Sequence, residues 1–352
     1  MKLPYNRPWL MEISDHPSCP ESVRVGVQKM LTFLWLNRIM PFQWQAPYEL
    51  AAEVLERVIR EIEEDEGEQS MGNGNGHGHG DGVANGNGSG DKTSPIKVID
   101  FCSGAGGPIR KIERRINKSR KSPVPFLLSD LNPPLDQWKR TYGPPLLSSS
   151  SSAGSTQNPI SYIPYSVDAT NATSSNMGGI LDERHLRTFF LSFHHFNEEA
   201  ARSVLVDAMR GSEGICIFEL QQCNLRSLFM IAMLGPLSWV LTPFTRPTIA
   251  ILFFTYIIPL IPLTLLIDGS ISVYRTRSIS HILRLTNLAS LTLQLENQDD
   301  GSKEDYEWDW EFGKRRHTWP WGEMIYIVGR KKRFDDGEDG DAGYEEGDEG
   351  EI

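Results

Sequence analysis

An acid and a run of small residues, Asp100-Phe101-Cys102-Ser103-Gly104-Ala105-Gly106-Gly107, close and follow the short apolar run 96–101. Glycines at a strand-to-helix turn let the backbone approach a ligand closely and leave amide donors pointing at it. Dinucleotide binders need the spacing GxGxxG, and Gly104-Ala105-Gly106-Gly107-Pro108-Ile109 fails at its last position. An acid at the strand end suits a cationic amino group better than a pyrophosphate.

A second group of residues lies further along. His194 and His195 are adjacent, and Glu219 closes a later apolar run. A histidine takes up a proton near neutral pH, so this pair is a candidate base, with Glu219 a comparable candidate. The alternative is structural: a histidine packed against a helix, and a glutamate that only accepts hydrogen bonds. Asp268 and Arg275 suit either positioning a polar substrate group or pinning one part of the chain to another. No metal site is expected. The four cysteines lie far apart without a CxxC pair, and His77 and His79 fall in a Gly/Asn tract without further ligands.

The elements that must position these residues alternate. Residues 20–66 read as helical, most clearly where Leu50, Val54, Leu55, Val58, Ile59 and Ile62 recur at helical spacing. Strands are expected at 96–101, 125–131, 160–169, 187–193 and 214–220, with a basic helix after the first and a helix at 197–210. A further helix around 278–291 and strands near 306–313 and 323–330 complete the pattern. Strands alternating with helices at this spacing imply a parallel sheet covered on both faces, an α/β fold.

The ligand profile of the glycine turn fits S-adenosylmethionine, whose methionine end carries an ammonium. Here the chain resembles the class I S-adenosylmethionine-dependent methyltransferases over most of residues 96–330. Their first motif, D/E-x-G-x-G-x-G, reads Asp100-x-Cys102-x-Gly104-x-Gly106, with Cys102 in place of the first glycine. The resemblance implies that Asp100 and the turn hold the methionine moiety. It also implies that Asp130, at the end of strand two, accepts the ribose hydroxyls, and that Asp168, after strand three, reads the adenine amino group. Leu131 and Ala169 follow these acids and join the cofactor site. The implied architecture is a doubly wound, seven-stranded, mostly parallel Rossmann-like sheet with its final strand antiparallel. An N-terminal helical cap and an apolar helical insertion after strand five are added to it. A narrower likeness, to an uncharacterised group near the ubiquinone-biosynthesis type, makes residues 224–280 a wall of the acceptor pocket and the N-terminal helices a cover for the cofactor side. His194, His195 and Glu219 would then face the acceptor.

The 352 residues suffice for one elaborated domain. The expected division is a cap at 1–66, a Gly/Asn linker at 67–94, a methyltransferase domain at 95–334 with a Ser-rich loop at 148–158, and an acidic tail at 335–352. The net charge of −11 is segmental, since the tail alone holds ten acids and no base. The basic run Arg110–Lys121 carries a stripe of Ile109, Ile112 and Ile116, so its bases form a solvated face and nucleic-acid binding is not expected. Residues 227–267 carry no charge but Arg246. Pro243, Pro247, Pro259 and Pro262 interrupt this segment, so a buried or capping insertion is the first reading, with membrane-surface contact and spanning as alternatives. The start of the chain lacks the apolar core of a secretory signal, and a cytoplasmic setting follows. The function expected is methyl transfer from S-adenosylmethionine to a small, apolar acceptor by in-line displacement, with a histidine base. The alternative is an inactive relative acting as a membrane-associated binding module. Oligomeric state stays open.

Overall fold

The computed structural model describes residues 10–72, 96–145, 159–174, 181, 183–300 and 306–333. The Ser-rich loop at 148–158, the acidic tail at 335–352 and both linker histidines lie outside the described residues.

Seven strands form one sheet: β1 (Lys97–Phe101), β2 (Phe126–Leu128), β3 (Ile160–Tyr162), β4 (His185–Phe190), β5 (Gly214–Glu219), β6 (Tyr306–Thr318) and β7 (Gly322–Arg333). Their order is β3-β2-β1-β4-β5-β7-β6. β1 to β5 pair in parallel, and β7 runs antiparallel to both of its neighbours. This is the seven-stranded, mostly parallel sheet expected. The central strands read as continuous apolar runs because both faces are covered. Along β5, Cys216 and Phe218 enter the core on one face while Ile215 and Ile217 enter the core on the other, as the two-residue period of a strand requires.

Among the described residues nine α-helices flank or cap the sheet: α1 (Glu21–Leu36), α2 (Pro47–Gly72), α3 (Ile109–Asn117), α4 (Leu135–Tyr142), α5 (Glu198–Gly211), α6 (Leu225–Leu241), α7 (Ile249–Tyr256), α8 (Leu260–Arg275) and α9 (Ile279–Asp300). The stripe Leu50, Val54, Leu55, Val58, Ile59 and Ile62 of α2 packs with Ile109, Ile112 and Ile116 of α3 on the first face. α5 and α9 cover the second face through Val204, Leu205, Ile282, Leu285 and Ala289. Arg115 and Arg120, from the basic run, pair with Glu53 and Glu63 of α2. Those bases serve helix-to-helix contacts.

Under α5, the buried Arg187 of β4 meets Asp207, Nη1 to Oδ2 at 2.6 Å. Asp207 also accepts the amides of Ala172 (3.0 Å) and Thr173 (3.1 Å), tying the loop after β3 to α5. A third, smaller core joins Val23, Val27 and Met30 of α1 to Ile251 of α7 and to Ile261 and Leu265 of α8. A Cβ on Gly26 would lie 2.4 Å from the Ile261 side chain, so this glycine lets α1 and α8 approach.

Several elements differ from the sequence reading. β3 ends at Tyr162, and 163–169 returns as a loop, with the Val167 amide donating to Asp130 O at 2.9 Å. β4 ends at Phe190, and Phe193–His195 form a short 3-10 turn. α2 runs on to Gly72, so helix occupies 67–72, where the linker was placed. α1 packs on the insertion after β5, and α2 belongs to a sheet layer. The insertion is not buried: among α6 residues only Ile231, Gly235 and Ser238 are enclosed. α6 and α7 are apolar on nearly every side and mostly uncovered, whereas α8 buries Ile261, Leu265, Asp268, Val273 and Arg275.

Candidate active site

The turn after β1 is built on left-handed backbone: φ is +56° at Cys102, +50° at Gly104, +95° at Gly106 and +40° at Gly107. Cys102 thus keeps the conformation of the glycine it replaces, at a cost of about 1–2 kcal/mol for a side chain there. A Cβ on Gly106 would sit 2.3 Å from Tyr142 Oη. The turn is tied to the end of β2: Ser103 N donates to Ser129 O (3.0 Å), Ser129 N to Asp100 O (2.8 Å), and Gly104 N to Asp130 Oδ2 (2.8 Å). From α4, Trp138 Nε1 donates to Gly104 O at 2.9 Å.

Asp100 is buried at the carboxyl end of β1. Its neighbour in register on β4 is Thr188, whose Oγ1 donates to Oδ1 at 3.1 Å, while Ser103 Oγ donates to Oδ2 at 2.7 Å. Burial pushes the Asp100 carboxyl up to about 7; the Ser103 and Thr188 hydrogen bonds oppose this, and Asp130 adds to it. No cationic side chain is paired with it among the described residues. Burial and the carboxylates of Asp130, Asp100 and Asp168 together push the Cys102 thiol up, so it is a poor nucleophile. Asp130 is half-buried and also accepts the Asn132 amide at 2.8 Å. Asp168 is exposed and accepts the amide and hydroxyl of Thr170 at 2.9 and 2.7 Å. Leu131 is exposed beside Asp130, and Ala169 is buried behind Asp168. Asp100, Cys102, Gly104, Gly106, Asp130, Leu131, Asp168 and Ala169 thus meet at the ends of β1, β2 and β3. The outcome is a cluster of acids around a glycine-built turn.

The adjoining ends of β4 and β5 hold the second group. Glu219, buried at the end of β5, accepts the His194 amide at 3.1 Å and His194 Nδ1 at 2.9 Å. The carboxylate orients a proton on Nδ1, so the lone pair of the neutral ring would lie on Nε2. That Nε2 lies 3.8 Å from Glu12 Oε1. The His195 ring lies on His194, centroids 4.4 Å apart, with Nδ1 3.5 Å from Asp15 Oδ2. Burial alone would favour neutral His195, but Asp15 and Glu12 outweigh it and hold the pKa above the ordinary value.

Glu12 and Asp15 belong to a strap, residues 11–16, that crosses this end of the sheet. Arg275 Nη1 (3.1 Å) and Ser272 Oγ (2.8 Å) donate to Glu12, and Asp268 accepts the amides of Ile13 (2.6 Å) and Ser14 (2.9 Å). Asp268 and Arg275 therefore fasten the strap to α8. The sequence reading singles out none of Glu12, Asp15, Ser103 and Thr188: Glu12 and Thr188 meet their partners across 263 and 88 residues, and Ser103, three residues from Asp100, is one small residue among several in the turn. Glu12, His194 and His195 bring one ligand atom each within 4.8 Å of one another. The Arg275 guanidinium already supplies the positive charge that Glu12 takes.

No protein-family model matches the chain, and no curated protein matches it. Solved structures do. LepI C52A in complex with SAH and a substrate analogue matches at 12% identity and a TM-score of 0.35, over 67% of this chain and 43% of that one. The methyltransferase domain of a bacterial CtHen1 matches at 11% and 0.33, over 66% and 89%. The trans-methyltransferase CalH in complex with SAH matches at 11% and 0.36, over 67% and 51%. The chain thus spans about half or less of LepI and CalH. At these scores the likeness adds nothing to what the strand order shows, and the ubiquinone-biosynthesis subgroup gains no support.

Proposed function

We propose that the protein transfers a methyl group from S-adenosylmethionine to a small, largely apolar acceptor. The observation that carries this reading is the juxtaposition at one end of the sheet. Three carboxylates without a cationic partner among the described residues surround a left-handed glycine turn, and a His–Glu dyad stands at the ends of the next two strands. Such a cluster fits a ligand bearing an ammonium and a sulfonium. When bound, S-adenosylmethionine would supply a methyl group reactive enough that holding the acceptor in line accounts for most of the acceleration.

In this reading Asp100 binds the ammonium, which favours its ionised form. The Gly104–Gly107 backbone lies against the methionine moiety, and Asp130 accepts the ribose hydroxyls. Asp168 accepts the adenine amino group, with Leu131 and Ala169 beside the ring. Glu219 holds His194 with Nε2 free to take a proton from the acceptor, and Glu12 faces the imidazolium that results. His195, held toward its charged form, is the poorer base and steadies Asp15 and the strap. A cavity of about 350 Å³ lined by Met11, Glu12, Ile13, Cys19, Leu260 and Thr264 adjoins Glu12; its apolar walls favour an apolar acceptor.

Calorimetry tests this reading. S-adenosylmethionine and its demethylated product should bind the wild type at micromolar concentration and not bind Asp130→Ala. A folded, monodisperse wild type that binds neither overturns it. A second reading, cofactor binding without turnover, is favoured by the enclosure of His194, only 4% exposed behind the strap. Binding without methylation of any hydroxyl, thiol or amine acceptor supplied would select it.

A further inference from the structure

The apolar stretch that interrupts the fold forms an outer surface. From Leu220 to Ile267 there is no acid, and the only bases are Arg226 and Arg246. α6 and the turn after it, Leu225–Thr245, are long and apolar enough to cross a membrane, yet only 11% of the most apolar window is buried. Leu225 is 83% exposed, Phe244 67%, Ile249 87% and Ile257 70%, with Phe229 and Val240 on the same helical layer. Soluble monomers seldom leave contiguous apolar patches above about 600 Å². A surface of this kind needs a partner.

Three features identify it. Trp239 and Tyr256 are half-exposed, and backbone carbonyls of the same helices hold their polar ends: Trp239 Nε1 donates to Thr255 O (2.9 Å) and Tyr256 Oη to Trp239 O (2.5 Å). Amphipathic rings so placed are characteristic of a membrane–water boundary. Arg226 and Arg246, both exposed and without an acid in the segment, match anionic headgroups. Finally, α1 lies along α7 and α8, and Lys29 Nζ reaches Arg246 O at 2.9 Å, at the far tip of the α6–α7 turn. A spanning hairpin would carry this charged helix and its lysine through the hydrocarbon. α7 and α8 are moreover bent by 73° to one another.

We propose that α6–α8 form an interfacial anchor, lying in the plane of a bilayer with anionic lipid and burying its outer apolar face at the headgroup–acyl boundary. This does not depend on cofactor binding. The test is flotation of the full chain with phosphatidylcholine vesicles, with and without phosphatidylserine, beside the double variant Ile249→Asp/Ile257→Asp. The wild type should float, more strongly with phosphatidylserine and less at high salt, and Trp239 fluorescence should shift to the blue. The variant should partition at least tenfold less while melting as the wild type does. A wild type left in the lipid-free fraction overturns the proposal, as does equal flotation of the variant. Sedimentation showing a lipid-free dimer that the variant dissociates would assign the face to a second copy of the chain and also overturn it.

Discussion

Asp100 offers the sharpest measurement. Its carboxyl is held up to about 7 by burial, against an ordinary value of 3.8. The folded state therefore holds a proton that the unfolded chain gives up, and stability attributable to this group falls as pH rises from about 4 to about 7. Each pH unit of that separation is worth about 1.4 kcal/mol. The apo protein then loses about 4 kcal/mol across the window relative to a variant that cannot ionise. Asp100→Asn is that variant: its amide oxygen still accepts from Ser103 or Thr188. The difference in unfolding free energy between variant and wild type, measured by denaturant titration, should grow in the variant's favour between pH 4 and 7 and stay flat above. Because only the difference is read, carboxylates shared by both proteins cancel. S-adenosylmethionine should reverse the order at pH 8 by supplying the missing cation. A difference that does not change with pH would refute the claim that burial holds the Asp100 carboxyl up, and with it the proposed role of Asp100 toward a cationic ligand.

Other substitutions probe separate parts. Gly106→Ala should abolish cofactor binding in calorimetry and lower stability by about 1–3 kcal/mol; adding Tyr142→Phe should not restore binding, since the left-handed backbone is still strained. His194→Ala should lower turnover by about 10²–10⁴ with cofactor affinity unchanged. Glu219→Gln should lower turnover less and alter its pH profile, the sign that it acts through the imidazole. Asp207→Ala leaves the Arg187 charge buried and unpaired, and should destabilise by about 3–5 kcal/mol in chemical unfolding without changing the chemistry.

The β1 strand, its acid and the glycine turn are legible in the sequence because their signal is local: an apolar run, an acid, then small residues within twelve positions. So is the α2 stripe. The loop at 163–169 is marked only by Pro164, which has no N–H for a strand ladder, and past it the Val167 amide donates to Asp130 O. The order of strands and the meeting of Thr188 with Asp100 depend on register between segments 88 residues apart. The apolar stretch is plain in the sequence, but which of its sides faces out is not, since helices apolar all round have no preferred face. Cys102 is recognisable as a small replacement; that it takes the backbone of a glycine shows only in the fold.

The strap imposes an order of assembly. Residues 11–16 precede their partners Asp268, Ser272 and Arg275 by some 260 residues of chain. Contacts so distant in sequence form late, because loop closure must precede any gain from them. A nascent chain that has already built β1 to β5 therefore has its His194–Glu219 pair uncovered until α8 arrives and takes hold of Glu12. A chain cut short before α8 would lack the residues that fasten Glu12, and its His194–Glu219 pair would be left open to water.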